Sequence, residues 1–159
     1  MLLLMPPAEL SPPPTVPQVD LARYMGDWFE IARLPNPFQK QCEHTTARYT
    51  LTGDGRFSVL NACLTPTGRR KEATGRAHVV DLATGSKLKV TFFWPFYGDY
   101  WILDLDPDYR WALVGTPDRK YLWVLSRTER MEPARLDQLL AKARSLGYQL
   151  SPLIRSPGA

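Results

Sequence analysis

The side chains able to do chemistry are few. The sequence holds two cysteines, Cys42 and Cys63, and two histidines, His44 and His78. A carboxylate, Glu30, sits inside the apolar stretch "YMGDWFEIARLP", Tyr24 to Pro35. On a strand, Trp28, Glu30 and Ala32 share one face, and Phe29, Ile31 and Arg33 share the other. A carboxylate turned inward beside an indole must be paired or protonated. Paired, it accepts hydrogen bonds from a tyrosine or arginine near the floor of a core. Unpaired, it could act as a general acid or base. Catalysis needs a positioned second group, and the sequence supplies no obvious one, so the structural reading is favoured. The histidines fall on different predicted strands without Cys, Asp or His at ligand spacing, so no metal site is expected.

The cysteines read differently. Cys42 precedes one predicted strand and Cys63 lies near the end of the next. "TGDG", Thr52 to Gly55, folds these strands into a hairpin, because Gly and Asp tolerate the positive φ of tight turns. Neighbouring strands lie about 5 Å apart, which a disulfide can span. A Cys42–Cys63 bridge is therefore expected, together with an oxidising compartment. Two free thiols in a reducing compartment are the alternative.

These residues need a frame. A chain of 159 residues suits one domain with one core. Turn signals divide it into short strands over 28–34, 44–51, 56–64, 71–80, 86–94, 100–105, 110–115 and 121–127. Gly75 inside the fourth reads as a bend or bulge. In the fifth, Lys87, Lys89 and Thr91 face water while Leu88, Val90 and Phe92 face the core. "PFYGD", before the sixth, reads as a turn. A meander of eight antiparallel strands closes naturally into an up-and-down barrel. One helix follows, with Pro133 in its first turn, Leu136, Leu139, Leu140, Ala143 and Leu146 on one stripe, and Gly147 after its end. The fold class expected is all-β, an eight-stranded antiparallel barrel with this helix packed outside.

Composition narrows the partners. The formal charge is +4, and the basic run Arg69-Arg70-Lys71 lies in a turn-like segment. No basic stripe interleaved with aromatics is present, so nucleic acid is not an expected partner. An anionic ligand or a membrane surface stays compatible with the charge. No apolar run reaches spanning length. Residues 1–18 carry six prolines between Pro6 and Pro17 and read as a stiff spacer or the remnant of a targeting segment. The domain is expected over 19–155, with a tail at 156–159.

"GDWFEIARLPNPFQ" and "FFWPFYGDYWILDLDPDYRWALVGTPDRKYLWVLSRT", in order and followed by the helix, resemble the lipocalins, and among them the bacterial outer-membrane and apolipoprotein D-like branch. The resemblance covers Val19 to about Leu153. It implies that Gly26 and Trp28 form the family's Gly-X-Trp signature. It also implies that Arg127 packs over the Trp28 indole at the closed end, a contact worth about 1–2 kcal/mol in a partly dry site. It implies binding of a fatty acid or lysophospholipid, without a cofactor, in the cell envelope (periplasm or outer membrane), although no export signal is evident. It leaves homodimerisation open. One branch of the family uses a pocket thiol as nucleophile, and Cys63 faces inward by alternation, but a bridged sulfur cannot attack.

With Arg127 inward, alternation gives the candidate ligand wall. Strand eight contributes Tyr121, Trp123 and Leu125, and the resemblance singles out Tyr121 and Trp123. Strand six gives Tyr100 and Ile102, and strand seven Ala112 and Val114. Strand five gives Val90 and Phe92, strand three Val59 and Asn61, and strand two Ala47 and Tyr49. Small Ala73, Gly75 and Ala77 on strand four are expected to leave room. Such a wall suits a long acyl chain with a polar end.

Overall fold

The computed structural model describes residues 11–93 and 96–157. The first ten residues of the expected spacer, Trp94 and the last two tail residues lie outside these. Along the chain run α1 (Leu21–Tyr24), β1 (Gly26–Arg33), a 3-10 turn (Pro37–Gln39), β2 (Glu43–Gly53), β3 (Arg56–Leu64) and β4 (Arg70–Val79). Then come β5 (Lys87–Phe93), β6 (Phe96–Leu105), β7 (Trp111–Gly115), β8 (Leu122–Ser126), α2 (Pro133–Ser145) and β9 (Ile154–Arg155). Strands β2 to β8 pair in sequence order, and β1 pairs with both β8 and β2, which closes an eight-stranded antiparallel barrel. Short β9 continues along β1 past the end of β2.

Alternation along the strands divides the apolar side chains between two cores. Trp28, Tyr49, Phe57, Val59, Ile102, Ala112, Val114 and Leu125 fill the barrel interior. Leu103, Leu113, Leu122 and Val124 point outward and meet Leu136, Leu139, Leu140 and Ala143 of α2. Pro133 starts that helix, and Gly147, with φ +98°, follows its end. Burying each large side chain of this stripe stabilises by about 1.5–3 kcal/mol, which holds α2 on the wall. Within the stretch expected as a spacer, Val16 N–H donates to Ile102 O (3.0 Å) and Thr15 bonds to Ser86 (2.8 Å).

Three local expectations fail, each for a stated reason. β6 begins at Phe96, so Phe96 to Asp99 pair with β5 instead of turning. Gly98 pairs with Val90 beside a register shift that lies between Val90 and Phe93, and Pro95 of the expected turn lies outside the described residues. Thr91, expected in water beside that shift, is 4% exposed. Gly75 makes no bulge against β3: the β3–β4 register runs unbroken through the Val59–Gly75 pair, and the pairing with β5 begins one residue later, at Arg76. A Cβ there would lie 2.6 Å from Thr91 O and 2.8 Å from the Phe92 ring. The glycine is thus a close approach of backbone and ring.

One end of the barrel is closed by Arg127. Its guanidinium carbon lies 3.7 Å from the Trp28 ring centroid. Its Nη1 donates to Met25 O (2.8 Å) and Asp27 O (2.9 Å), Nη2 to Arg23 O (2.8 Å) and Nε to Tyr109 O (3.0 Å). Gly26 makes the double Nη1 contact feasible, since its φ of +94° turns the flanking carbonyls toward one nitrogen. Trp28 Nε1 donates to Tyr24 O (2.9 Å), so the indole is fixed at both its face and its edge. Trp28→Ala should cost about 3–5 kcal/mol in chemical unfolding, before any effect on ligand choice. An unchanged melting temperature would contradict this structural role.

Candidate functional site

Between the Trp28 end and the residue 36–39 turn lies a cavity of about 300 Å³. Its wall is built by alternation: Ala47 and Tyr49 from β2, Phe57, Val59 and Asn61 from β3, Val90 and Phe92 from β5, Tyr100 from β6, and Trp123 and Leu125 from β8. The volume sits at the low end of the ~300–1,000 Å³ usual for small-molecule pockets. A second crevice, about 390 Å³, lies outside the barrel under residues 14–18, against Asp104, Asp106 and Lys142.

Nine of the expected wall residues line the cavity: Ala47, Tyr49, Val59, Asn61, Val90, Phe92, Tyr100, Trp123 and Leu125. Ile102, Ala77, Ala112 and Val114 are buried in the same interior cluster without facing it. Tyr121 stands just ahead of β8, its ring 6.3 Å from that of Trp123, and is not part of the wall. Ala73 is exposed. The room expected from the small residues of β4 is absent, because Phe92 covers Gly75 and Ala77 is packed over.

Sequence reasoning missed the polar side of the cavity. β1 carries a bulge: Glu30 pairs with Leu125, but Ala32 pairs with Val124 and Arg33 with Trp123. The extra residue reverses the phase. Ala32 therefore joins the outer cluster, and Arg33 turns in beside Glu30, against the alternation expected for both. This supplies the missing partner. Arg33 Nη1 donates to Glu30 Oε2 (2.9 Å), and Gln39 Nε2 donates to Glu30 Oε1 (2.8 Å). Gln39 Oε1 accepts from Trp123 Nε1 (2.9 Å) and Asn36 Nδ2 (2.6 Å). Arg33 Nη2 donates to Gln39 O (3.1 Å). The network clasps the 36–39 turn onto the barrel and leaves Phe38, at the mouth, 75% exposed.

The clasp also sets charge. Burial pushes the Glu30 carboxyl above its ordinary value, while Gln39 and Arg33 hold it down. The buried Thr45 hydroxyl makes no hydrogen bond of good geometry, yet lies close enough to favour the charged carboxylate. At the closed end, Tyr100 OH lies 2.6 Å from Tyr24 OH and 3.0 Å from Tyr49 OH. Burial pushes all three phenols up, Tyr49 to about 12, so they are neutral at physiological pH. Near the mouth, a disulfide joins Cys42 to Cys63 with Cα atoms 5.4 Å apart. Among the described residues no group of three His, Cys, Asp or Glu side chains is arranged to hold a metal ion.

A blind antiparallel barrel with an apolar cavity defines a class of small-hydrophobic-ligand binders. A family model described as the lipocalin-like domain matches residues 19–158, and the chain belongs to the lipocalin family. It is 44% identical over 148 residues to temperature-induced lipocalin-1 of Arabidopsis thaliana, spanning 87% of this chain and 79% of that one. It is 41% identical over 143 residues to the outer membrane lipoprotein Blc of Escherichia coli K12, spanning 88% and 81%. Among solved structures, insecticyanin from Manduca sexta superposes with a TM-score of 0.72 at 26% identity, covering 93% of this chain and 84% of its own.

Removing one member of a buried ion pair strands the other. Glu30→Ala should therefore destabilise by about 3–5 kcal/mol in urea unfolding, and adding Arg33→Ala should recover part of that loss. Strict additivity of the two substitutions would contradict the pairing.

Proposed function

We propose that the chain binds, stores or carries one single-chain hydrophobic ligand, a fatty acid or lysophospholipid, in the barrel cavity. The observation that carries this reading is the cavity itself: apolar along its length, blind at Trp28 and bounded at the mouth by the residue 36–39 turn. Its volume favours one acyl chain over two. The residues proposed as ligand contacts are Trp123, Phe92, Val90, Val59, Ala47 and Leu125 along the chain, with Tyr49, Tyr100 and Asn61 as polar contacts. Binding is favoured over turnover because the groups able to react are occupied. Glu30 is held by Arg33 and Gln39, and Cys63 is bridged to Cys42. The similarity to an outer membrane lipoprotein, together with the disulfide, supports a place in the cell envelope.

Native mass spectrometry followed by lipid extraction tests the reading. A co-purifying fatty acid or lysophospholipid, or saturable uptake of a fluorescent fatty acid, is the expected result. Trp123→Ala should weaken that uptake by roughly tenfold or more, since a large aromatic contact is lost. An empty barrel that takes up no fatty acid would overturn the carrier reading.

A further inference from the structure

The closed end of the cavity has a polar group that an apolar chain would leave unused. Tyr49 and Tyr100 line the cavity, and Tyr24 is fully buried behind them. Each phenol brings one donor proton. The cluster contains two hydrogen bonds, Tyr24 with Tyr100 and Tyr49 with Tyr100. Two bonds use two protons, whichever way each runs, so one proton is left over. Left on Tyr24, it would be a buried donor behind the wall, and such a group bears its full desolvation cost. Two arrangements avoid this. Tyr24 donates to Tyr100 and Tyr100 to Tyr49, or Tyr24 and Tyr49 both donate to Tyr100. In both, the spare proton sits on a phenol that faces the cavity.

Burial is the largest influence on these phenols and opposes negative charge there, while the Arg127 guanidinium partly offsets it at Tyr24 and Tyr49. Among the described residues two carboxylates line the cavity: Glu30, paired with Arg33, which opposes negative charge at Tyr49, and Asp99, paired with Lys89. An oxygen acceptor beside the phenols satisfies the spare donor, and a methyl group there leaves it without a partner.

We propose that the closed end is an oxygen-acceptor subsite, at which Tyr49 or Tyr100 donates a hydrogen bond to the carboxyl or carbonyl oxygen of a ligand bound oxygen-first. This rests on the carrier reading and divides its two ligand types. A fatty acid brings its carboxyl group to the phenols, with its chain running toward Trp123 and the mouth. A lysophospholipid has a head group too large for the closed end. It leaves that group at the mouth and presents a methyl to the donor.

The test substitutes all three phenols, Tyr24→Phe, Tyr49→Phe and Tyr100→Phe together. Removing one or two leaves an odd proton in place, whereas removing all three keeps the shape and leaves no orphan. Binding of palmitic acid and of a lysophospholipid with the same acyl chain is measured for both proteins. The wild type should prefer the acid, and the triple variant should lose roughly tenfold or more of acid affinity with little change for the lysophospholipid. Equal effects on both ligands, as when a water molecule takes the spare proton, would overturn the subsite and leave the carrier reading standing. A wild type that binds neither would overturn the carrier reading first. Should the triple variant fail to fold, a fatty acid spin-labelled at its methyl end decides on the wild type. Broadening of resonances near Trp123 and Phe38 is expected, and broadening confined to the surroundings of Tyr24 and Tyr49 would overturn the orientation.

Discussion

The barrel depends on a single cation lying over an indole. Arg127 covers Trp28 at 3.7 Å and donates four hydrogen bonds to the carbonyls of Arg23, Met25, Asp27 and Tyr109. These carbonyls belong to the segment that leads into β1, to the first residues of β1 and to the β6–β7 turn. A guanidinium suits the task because it is planar and carries five donors in a fixed fork. Lysine could stack or bond, but could not do both at so many points. The geometry also demands Gly26, whose positive φ brings two carbonyls to one nitrogen. With that end closed, the cavity extends toward the residue 36–39 turn and Tyr97.

The shape of the cavity follows from two departures from regular strand structure. At Gly75 the lack of a Cβ lets Phe92 lie against the backbone of β4, so the ring narrows the barrel. At the β1 bulge one extra residue turns Arg33 inward, where it neutralises Glu30 and holds Gln39. The cavity is thus mainly apolar along its wall, with its carboxylates paired, Glu30 with Arg33 and Asp99 with Lys89, and neutral phenols at its closed end. Glu30, expected as a hydrogen-bonded structural carboxylate near the floor, is held by Arg33 and Gln39 and fastens the turn at the other end, under the mouth.

Much of this was legible in the sequence, and the parts that were not share a cause. Turn signals and period-two alternation are local, so the eight strands, the outer helix and the inward phase of Trp123, Leu125, Tyr100 and Tyr49 could be read directly. The disulfide followed from the position of two cysteines on one hairpin. Alternation fails wherever a bulge inserts a residue, and no residue type announces one. Ala32 and Arg33 were misassigned for that reason, whereas Thr91 keeps its phase between the cavity-lining Val90 and Phe92 and is buried all the same. Ala73 and Gly75 were read as room because a small residue indicates space without saying what fills it. Asn36, Phe38 and Gln39 sit in a turn with no period, so nothing in the sequence linked Gln39 to Glu30 and Trp123.

The central claim is that one hydrophobic chain fills one blind apolar cavity. Isothermal titration with a fatty acid at several temperatures tests it most directly, because burial of apolar surface gives a negative heat-capacity change. A saturable reaction with one ligand per chain and a distinctly negative heat-capacity change is the predicted result. Heat that never saturates, or saturation with no heat-capacity change, would contradict the account.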